Sequence, residues 1–116
     1  MIDKNITKRN DFPDIFDSTI KIGVELGVAK GDFSQVLISK HKFDYFYCID
    51  KWNDHHNIRE KNIVLEKFSN NKEVIIVQKS FSDAVKEFED QFFDFIYIDG
   101  YAHTGQDSGR TLFRMV

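Results

Sequence analysis

Three acidic residues stand where this sequence could do chemistry: Glu25 in the run V-E-L-G-V-A-K-G, Asp50 at the end of Y-F-Y-C-I-D, and Asp99 at the end of F-I-Y-I-D. Gly27 and Gly31 bracket a tight step that lets backbone approach a ligand. Amide N–H groups at the start of the following helix, with the helix dipole behind them, favour an anionic group. Asp50 falls about twenty residues beyond that turn, the place from which an acid accepts hydrogen bonds from ribose hydroxyls. Trp52 and Phe81 stand where an adenine ring needs flat apolar walls, and Ser80 is placed to hydrogen-bond its edge. Lys51 and Lys79 both read as surface charges, with Lys51 also counted in the ligand-binding set as part of the second strand end, Asp50-Lys51-Trp52. His103, four residues after Asp99, is a candidate general base.

The spacing narrows the ligand. A dinucleotide fingerprint needs G-x-G-x-x-G, and counting from Gly27 puts Ala29 where the second glycine should meet a pyrophosphate. A phosphate-cradling P-loop is excluded because Gly31 is followed by Asp32 rather than Lys. A ligand with adenine and ribose but no phosphate fits better. Glu25 beside the glycine turn suits a ligand that carries an ammonium or sulfonium charge.

The elements that must position these residues are legible in order. Ile20, Ile22, Val24 and Leu26 alternate with Lys21, Gly23 and Glu25, which predicts a first strand. Asp32 and Gln35 read as an N-cap and capping-box pair for a helix over about 33–40. Tyr45 to Asp50 is a second strand, apolar almost throughout, as expected of a parallel strand covered on both faces. A helix over about 57–68 carries Ile58, Leu65 and Phe68 on one side, and Glu73 to Val77 makes a third strand. Ser82 is placed to cap a helix with Ala84, Val85 and Phe88 toward the core, and Phe92 to Ile98 make a fourth strand. Residues 1–19 form a separate N-terminal segment with one short amphipathic turn at Phe12, Ile15 and Phe16, started by Asp11 and Pro13. A last helix is expected to begin at Gly109. This order predicts an α/β Rossmann-like, doubly wound, mainly parallel sheet of about four strands over residues 20–116, with ligands at the carboxyl ends of the strands. The fourth strand is as apolar as a central one, so a covering neighbour is expected, either from a longer chain or from another copy.

Composition sets the outer limits. At 116 residues the chain is one domain, and an apolar share of 41% with twelve Phe marks it as globular. A formal net charge of −3 with mixed signs gives no basic stripe for nucleic acid and no cationic helix for a membrane surface. The lone cysteine, Cys48, excludes an internal disulfide and reads as a buried packing residue in a reducing compartment. With no apolar run of signal-peptide or membrane-spanning character, the expected location is cytoplasmic. The pair His55-His56 diverges on any helix or loop and does not make a metal site.

Taken together, V-E-L-G-V-A-K-G-D-F-S, Y-C-I-D and F-D-F-I-Y-I-D-G-Y-A-H-T-G-Q resemble class I S-adenosylmethionine-dependent methyltransferases. The resemblance is nearest to the small-molecule O-methyltransferase group that includes macrolide-sugar methyltransferases, and it runs from about Lys21 to Thr111. It implies that Glu25, Gly27 and Gly31 line the methionine end of the cofactor, Asp50 holds the ribose, Ser80 and Phe81 border adenine, and Asp99 lies beside the transferring methyl. It also implies a small-molecule acceptor, and that the C-terminal strands and the substrate-shaping half lie outside these 116 residues. Two departures stand out. Sugar-methylating relatives tend to have the histidine three residues after the aspartate rather than four, and the acids that complete a divalent metal site in some of them have no counterpart here, so the metal is undecided. Two other classes stay open, a non-catalytic cofactor-binding or partner-binding module and, disfavoured by Ala29, an NAD-type oxidoreductase domain.

Overall fold

The structure, a computed structural model, describes residues 9–53 and 57–99. Strands β1 (Ile22–Leu26), β2 (Tyr45–Asp50), β3 (Val74–Gln78) and β4 (Phe95–Ile98) form one parallel sheet in the order β3-β2-β1-β4. Helices α1 (Asp32–Lys40), α2 (Ile58–Lys67) and α3 (Phe81–Val85) fill the crossovers, and a 3-10 helix, Arg9–Ile15, precedes β1. This is the expected Rossmann-like α/β architecture.

The period of two in β1 sorts its side chains onto the two faces. Val24 and Leu26 pack with Ile49 of β2 and with Phe81, Ala84 and Val85 of α3. The opposite face belongs to Phe33 and Leu37 of α1, Val64 of α2, and Phe46 and Cys48 of β2. Because β2 contributes to both clusters, its unbroken apolar run is what a two-sided strand requires. The chain winds outward from β1 through β2 to β3 and then crosses back to β4 on the other side of β1. A right-handed crossover therefore puts α3 on the face opposite α1 and α2. The strand order reverses between β1 and β4, the switch point at whose carboxyl ends such sheets bind ligands.

Local chemistry moved several boundaries. β1 starts at Ile22 rather than Ile20, because Ile20 N–H is tied into a turn with the Asp17 carbonyl and the Asp94 carboxylate takes the N–H groups of Lys21 and Ile22, each at 2.9 Å. The Asp32–Gln35 capping pair does not form. Gly31 occupies the N-cap in the left-handed region, Gln35 N–H bonds the Gly31 carbonyl, and the Asp32 carboxylate instead reaches Lys67 at 2.8 Å. In α2 the cap is Asn57, whose side chain accepts from Arg59 N–H. The resulting phase buries Val64 and Phe68 and leaves Ile58 and Leu65 exposed at 51% and 45%, so the apolar stripe expected of Ile58 and Leu65 is not the core face. Ser80 rather than Ser82 caps α3, its side chain accepting Asp83 N–H at 3.2 Å. β4 starts three residues later than expected, since Phe92 and Phe93 pack around Tyr47 ahead of the strand. Among the described residues no helix is long and apolar enough to cross a membrane.

Candidate functional site

Glu25 is the centre of the crevice. It lies in β1 between Cys48 of β2 and Tyr97 of β4 and points to the α1 face, where it is 1% exposed. The Ser34 hydroxyl, on the first turn of α1, donates to Glu25 Oε1 at 2.5 Å, and Cys48 Sγ lies 3.6 Å from the same hydroxyl. Glu25 Oε2 has no hydrogen-bond partner among the described residues. Burial pushes the Glu25 carboxyl up to about 8, against the pull of the Ser34 hydroxyl and with the Asp99 charge adding to the rise. Burial likewise pushes the Cys48 thiol up to about 12, which leaves it an inert packing group. Above Glu25 opens a cleft of about 120 Å³ lined by Arg9, Glu25, Ala29, Lys30, Phe33 and Asp99, among others.

The turn that frames this cleft is held from below. Gly27, Ala29 and Gly31 all have positive φ, at 91°, 53° and 83°. Gly27 N–H donates to the Ile49 carbonyl at 2.8 Å. Asp50 Oδ2 accepts from Val28 N–H at 2.8 Å and from Ala29 N–H at 2.9 Å, while Oδ1 accepts from Trp52 N–H at 2.9 Å. The indole Nε1 of Trp52 then donates to the Ala29 carbonyl at 2.8 Å. Asp50 thus faces the glycine turn, but it and Trp52 work as the turn's internal scaffold. The N–H groups of Val28 and Ala29 are used by Asp50 rather than left open to a ligand. Gly31 sits so close to α2 that a Cβ there would lie 3.2 Å from Val64 and 3.3 Å from Phe68.

The remaining residues singled out from the sequence divide by burial. Trp52 and Phe81 are each 1% exposed, one in each core cluster, so packing takes the surfaces that an adenine wall would need. Ser80 spends its side chain on the α3 cap. Lys51 follows Asp50 and its carbonyl accepts from Gln78 Nε2 at 2.8 Å, while Lys79 pairs with Glu87. Asp99, just past β4, is half exposed and pairs with Arg9, with 2.6 Å between Nη1 and Oδ2. His103, His55, His56 and the helix expected from Gly109 lie outside the described residues. Among the described residues no group of three His, Cys, Asp or Glu side chains could hold a metal ion.

Two residues of the site were not found in the sequence. Ser34 had a signal, since it lies nine residues after Glu25 on the face of α1 that starts above the turn. Arg9 had none. Its partner Asp99 is ninety residues away, and only the docking of the 3-10 helix brings the two together.

Solved structures share this fold. A protein of Methanococcus maripaludis described as an S-adenosyl-L-methionine-dependent methyltransferase superposes with a TM-score of 0.71 at 19% identity, over 93% of this chain and 48% of its own. Spermidine synthase of Thermotoga maritima gives 0.56 at 17% identity, over 83% of this chain and 31% of its own. A Pyrococcus horikoshii protein described as an RNA methyltransferase gives 0.55 at 14% identity, over 80% and 42%. The chain therefore spans half or less of the length of each, and at these identities the likeness is one of fold. No curated protein sequence matches the chain. The sequence model of one family does match, over residues 24–115, from the middle of β1 past Asp99, and the chain belongs to that family, the methyltransferase domain.

Proposed function

We propose that this chain is the cofactor-binding part of an S-adenosylmethionine-dependent methyltransferase that moves a methyl group to a hydroxyl oxygen of a small molecule such as a sugar. The observation that carries the reading is Glu25, a buried carboxyl with one oxygen fixed by Ser34 and the other without a partner among the described residues, lining a cleft at the point where strand order reverses. Once ionised, such a group suits the ammonium and sulfonium charges of this cofactor and repels phosphate.

The donor set fits the cofactor in part. Glu25 would take the ammonium, with Gly27 and Gly31 giving the turn its close approach. An ionised carboxylate offers about four acceptor sites. Asp50 already spends three on Val28, Ala29 and Trp52, so a ribose hydroxyl would use the fourth. The bound cofactor supplies an activated methyl on positively charged sulfur. The chain's own part is to exclude water around Glu25 and to hold an acceptor hydroxyl beside Asp99, positioning worth roughly 7 kcal/mol or more when reacting groups are well aligned. His103, on this reading, takes the hydroxyl proton and adds roughly a hundredfold or more. A divalent metal is not needed for any of these roles. A further strand, from a longer chain or a second copy, covers the outer edge of β4, and the lone buried Cys48 suits a cytoplasmic setting.

Titration calorimetry with S-adenosylmethionine, S-adenosylhomocysteine, ATP and NADH tests the reading. Binding of the first two and not of the nucleotides is expected. Binding of NADH alone would replace the reading with an oxidoreductase domain, and no binding of any would leave a partner-binding module.

A further inference from the structure

The cleft holds a cation that the reading above does not use. Arg9 opens the 3-10 helix, and Phe12 on that helix and Phe16 just past its end lay their rings against Phe95 of β4, with centroids 6.0 and 4.7 Å apart. Lys40 Nζ, at the end of α1, donates to the Asn10 carbonyl at 3.3 Å. The helix is therefore pinned to the α1 face beside β4 and delivers its first side chain into the cleft lined by Glu25. There the Arg9 guanidinium donates to Asp99 and lies 4.9 Å from the Phe33 ring centroid. These contacts at once satisfy its charge and orient its fork.

An amino-acid zwitterion carries its ammonium and its carboxylate on one carbon. A site that recognises both must hold an acid and a base a few ångströms apart, and a guanidinium meets a carboxylate with two parallel hydrogen bonds. Glu25, whose Oε2 has no partner among the described residues, is the buried acid, and Arg9 is the oriented base. Lys30 also lines the cleft, but it is exposed and presents a point charge on a flexible stem.

We propose that Arg9 binds the α-carboxylate at the amino-acid end of the cofactor, exchanging its ion pair with Asp99 for the ligand while Glu25 takes the ammonium. This rests on the cleft being the S-adenosylmethionine site. The exchange also releases the Asp99 carboxylate at the place where the acceptor hydroxyl is held. Arg9 is thus a specificity residue, separating the intact cofactor from analogues that lack the carboxylate.

The test is calorimetry on the wild-type chain, Arg9→Ala and Lys30→Ala, each titrated with S-adenosylmethionine and with its decarboxylated analogue, which keeps the ammonium and sulfonium. The wild type is expected to prefer the carboxylated ligand by about 10- to 100-fold, the range for a hydrogen-bonded charge pair. Arg9→Ala is expected to lose that preference while binding the analogue as the wild type does, which also shows that the variant is folded. A preference retained in Arg9→Ala, a preference lost in Lys30→Ala instead, or an equal loss for both ligands in Arg9→Ala overturns the assignment while leaving the cofactor reading intact. A wild type that binds neither ligand removes the cofactor reading itself, and the role of Arg9 with it.

Discussion

The carboxylate of Asp50 accepts the amide of Val28 at 2.8 Å, joining the end of β2 to the turn after β1 across twenty-two residues of sequence. That bond changes what a substitution at this position reports. Asp50→Ala removes the acceptor of three N–H groups, on Val28, Ala29 and Trp52, and each that stays buried and unpaired costs roughly 1–3 kcal/mol. Urea unfolding is expected to show a loss of several kcal/mol alongside the loss of cofactor affinity. Lost affinity with an unchanged unfolding midpoint would instead assign Asp50 to the ribose alone.

Glu25 should make cofactor affinity depend on pH. Its carboxyl is raised to about 8 by burial, and an ammonium is bound by the ionised form, so affinity rises with pH from 6 toward 8, by up to about tenfold per unit, and falls again above as the ligand's α-amino group, ordinarily at about 7.7–8.0, loses its proton. Calorimetry from pH 6 to 7.5 should show the slope in the wild type and none in Glu25→Gln, which binds more weakly than the wild type at the upper end of that range.

The same group makes the folded chain pH-sensitive without ligand. A carboxyl whose folded value of about 8 exceeds its ordinary 4.5 binds more protons folded than unfolded between those limits. Its contribution to stability is full below about 4.5 and is lost as pH rises toward 8, at up to roughly 1.4 kcal/mol per unit. Denaturant midpoints measured from pH 5 to 8 should fall more steeply for the wild type than for Glu25→Gln.

Gly31→Ala should cost about 1–3 kcal/mol. Its φ of 83° strains any L side chain, and the added Cβ would sit 3.2 Å from Val64. Thermal unfolding of this variant checks the figure, and a midpoint unchanged within a degree would show that the turn relaxes freely.

Trp52 is the single tryptophan of the chain, which makes its burial directly measurable. Its fluorescence should be blue-shifted and resist acrylamide quenching, and should shift red on unfolding. Trp52→Ala should cost about 3–5 kcal/mol through the cavity it leaves and the lost bond to Ala29. Strong quenching of the native protein by acrylamide would show an exposed ring.

What the sequence by itself determined was the order of elements and the type of sheet. Alternation in Ile22, Val24 and Leu26 and the two-sided run Tyr45 to Asp50 are local patterns with a unique burial solution, and right-handed crossovers then leave few topologies. Glu25, the glycine turn and Asp50 were legible for the same reason, being fixed to strand ends by short spacing. Tertiary structure alone decided what the side chains at those ends face. Asp50 and Trp52 read as ligand residues, yet the positive-φ turn beneath them has N–H and C=O groups that must be satisfied inside the fold, and they satisfy them. Phe81 turned to the core because its one-residue offset from the Ser80 cap fixes the phase of α3. Arg9 reached Asp99 and the cleft above Glu25 only because aromatic packing docks the 3-10 helix on β4, a long-range contact that no periodicity in the chain encodes.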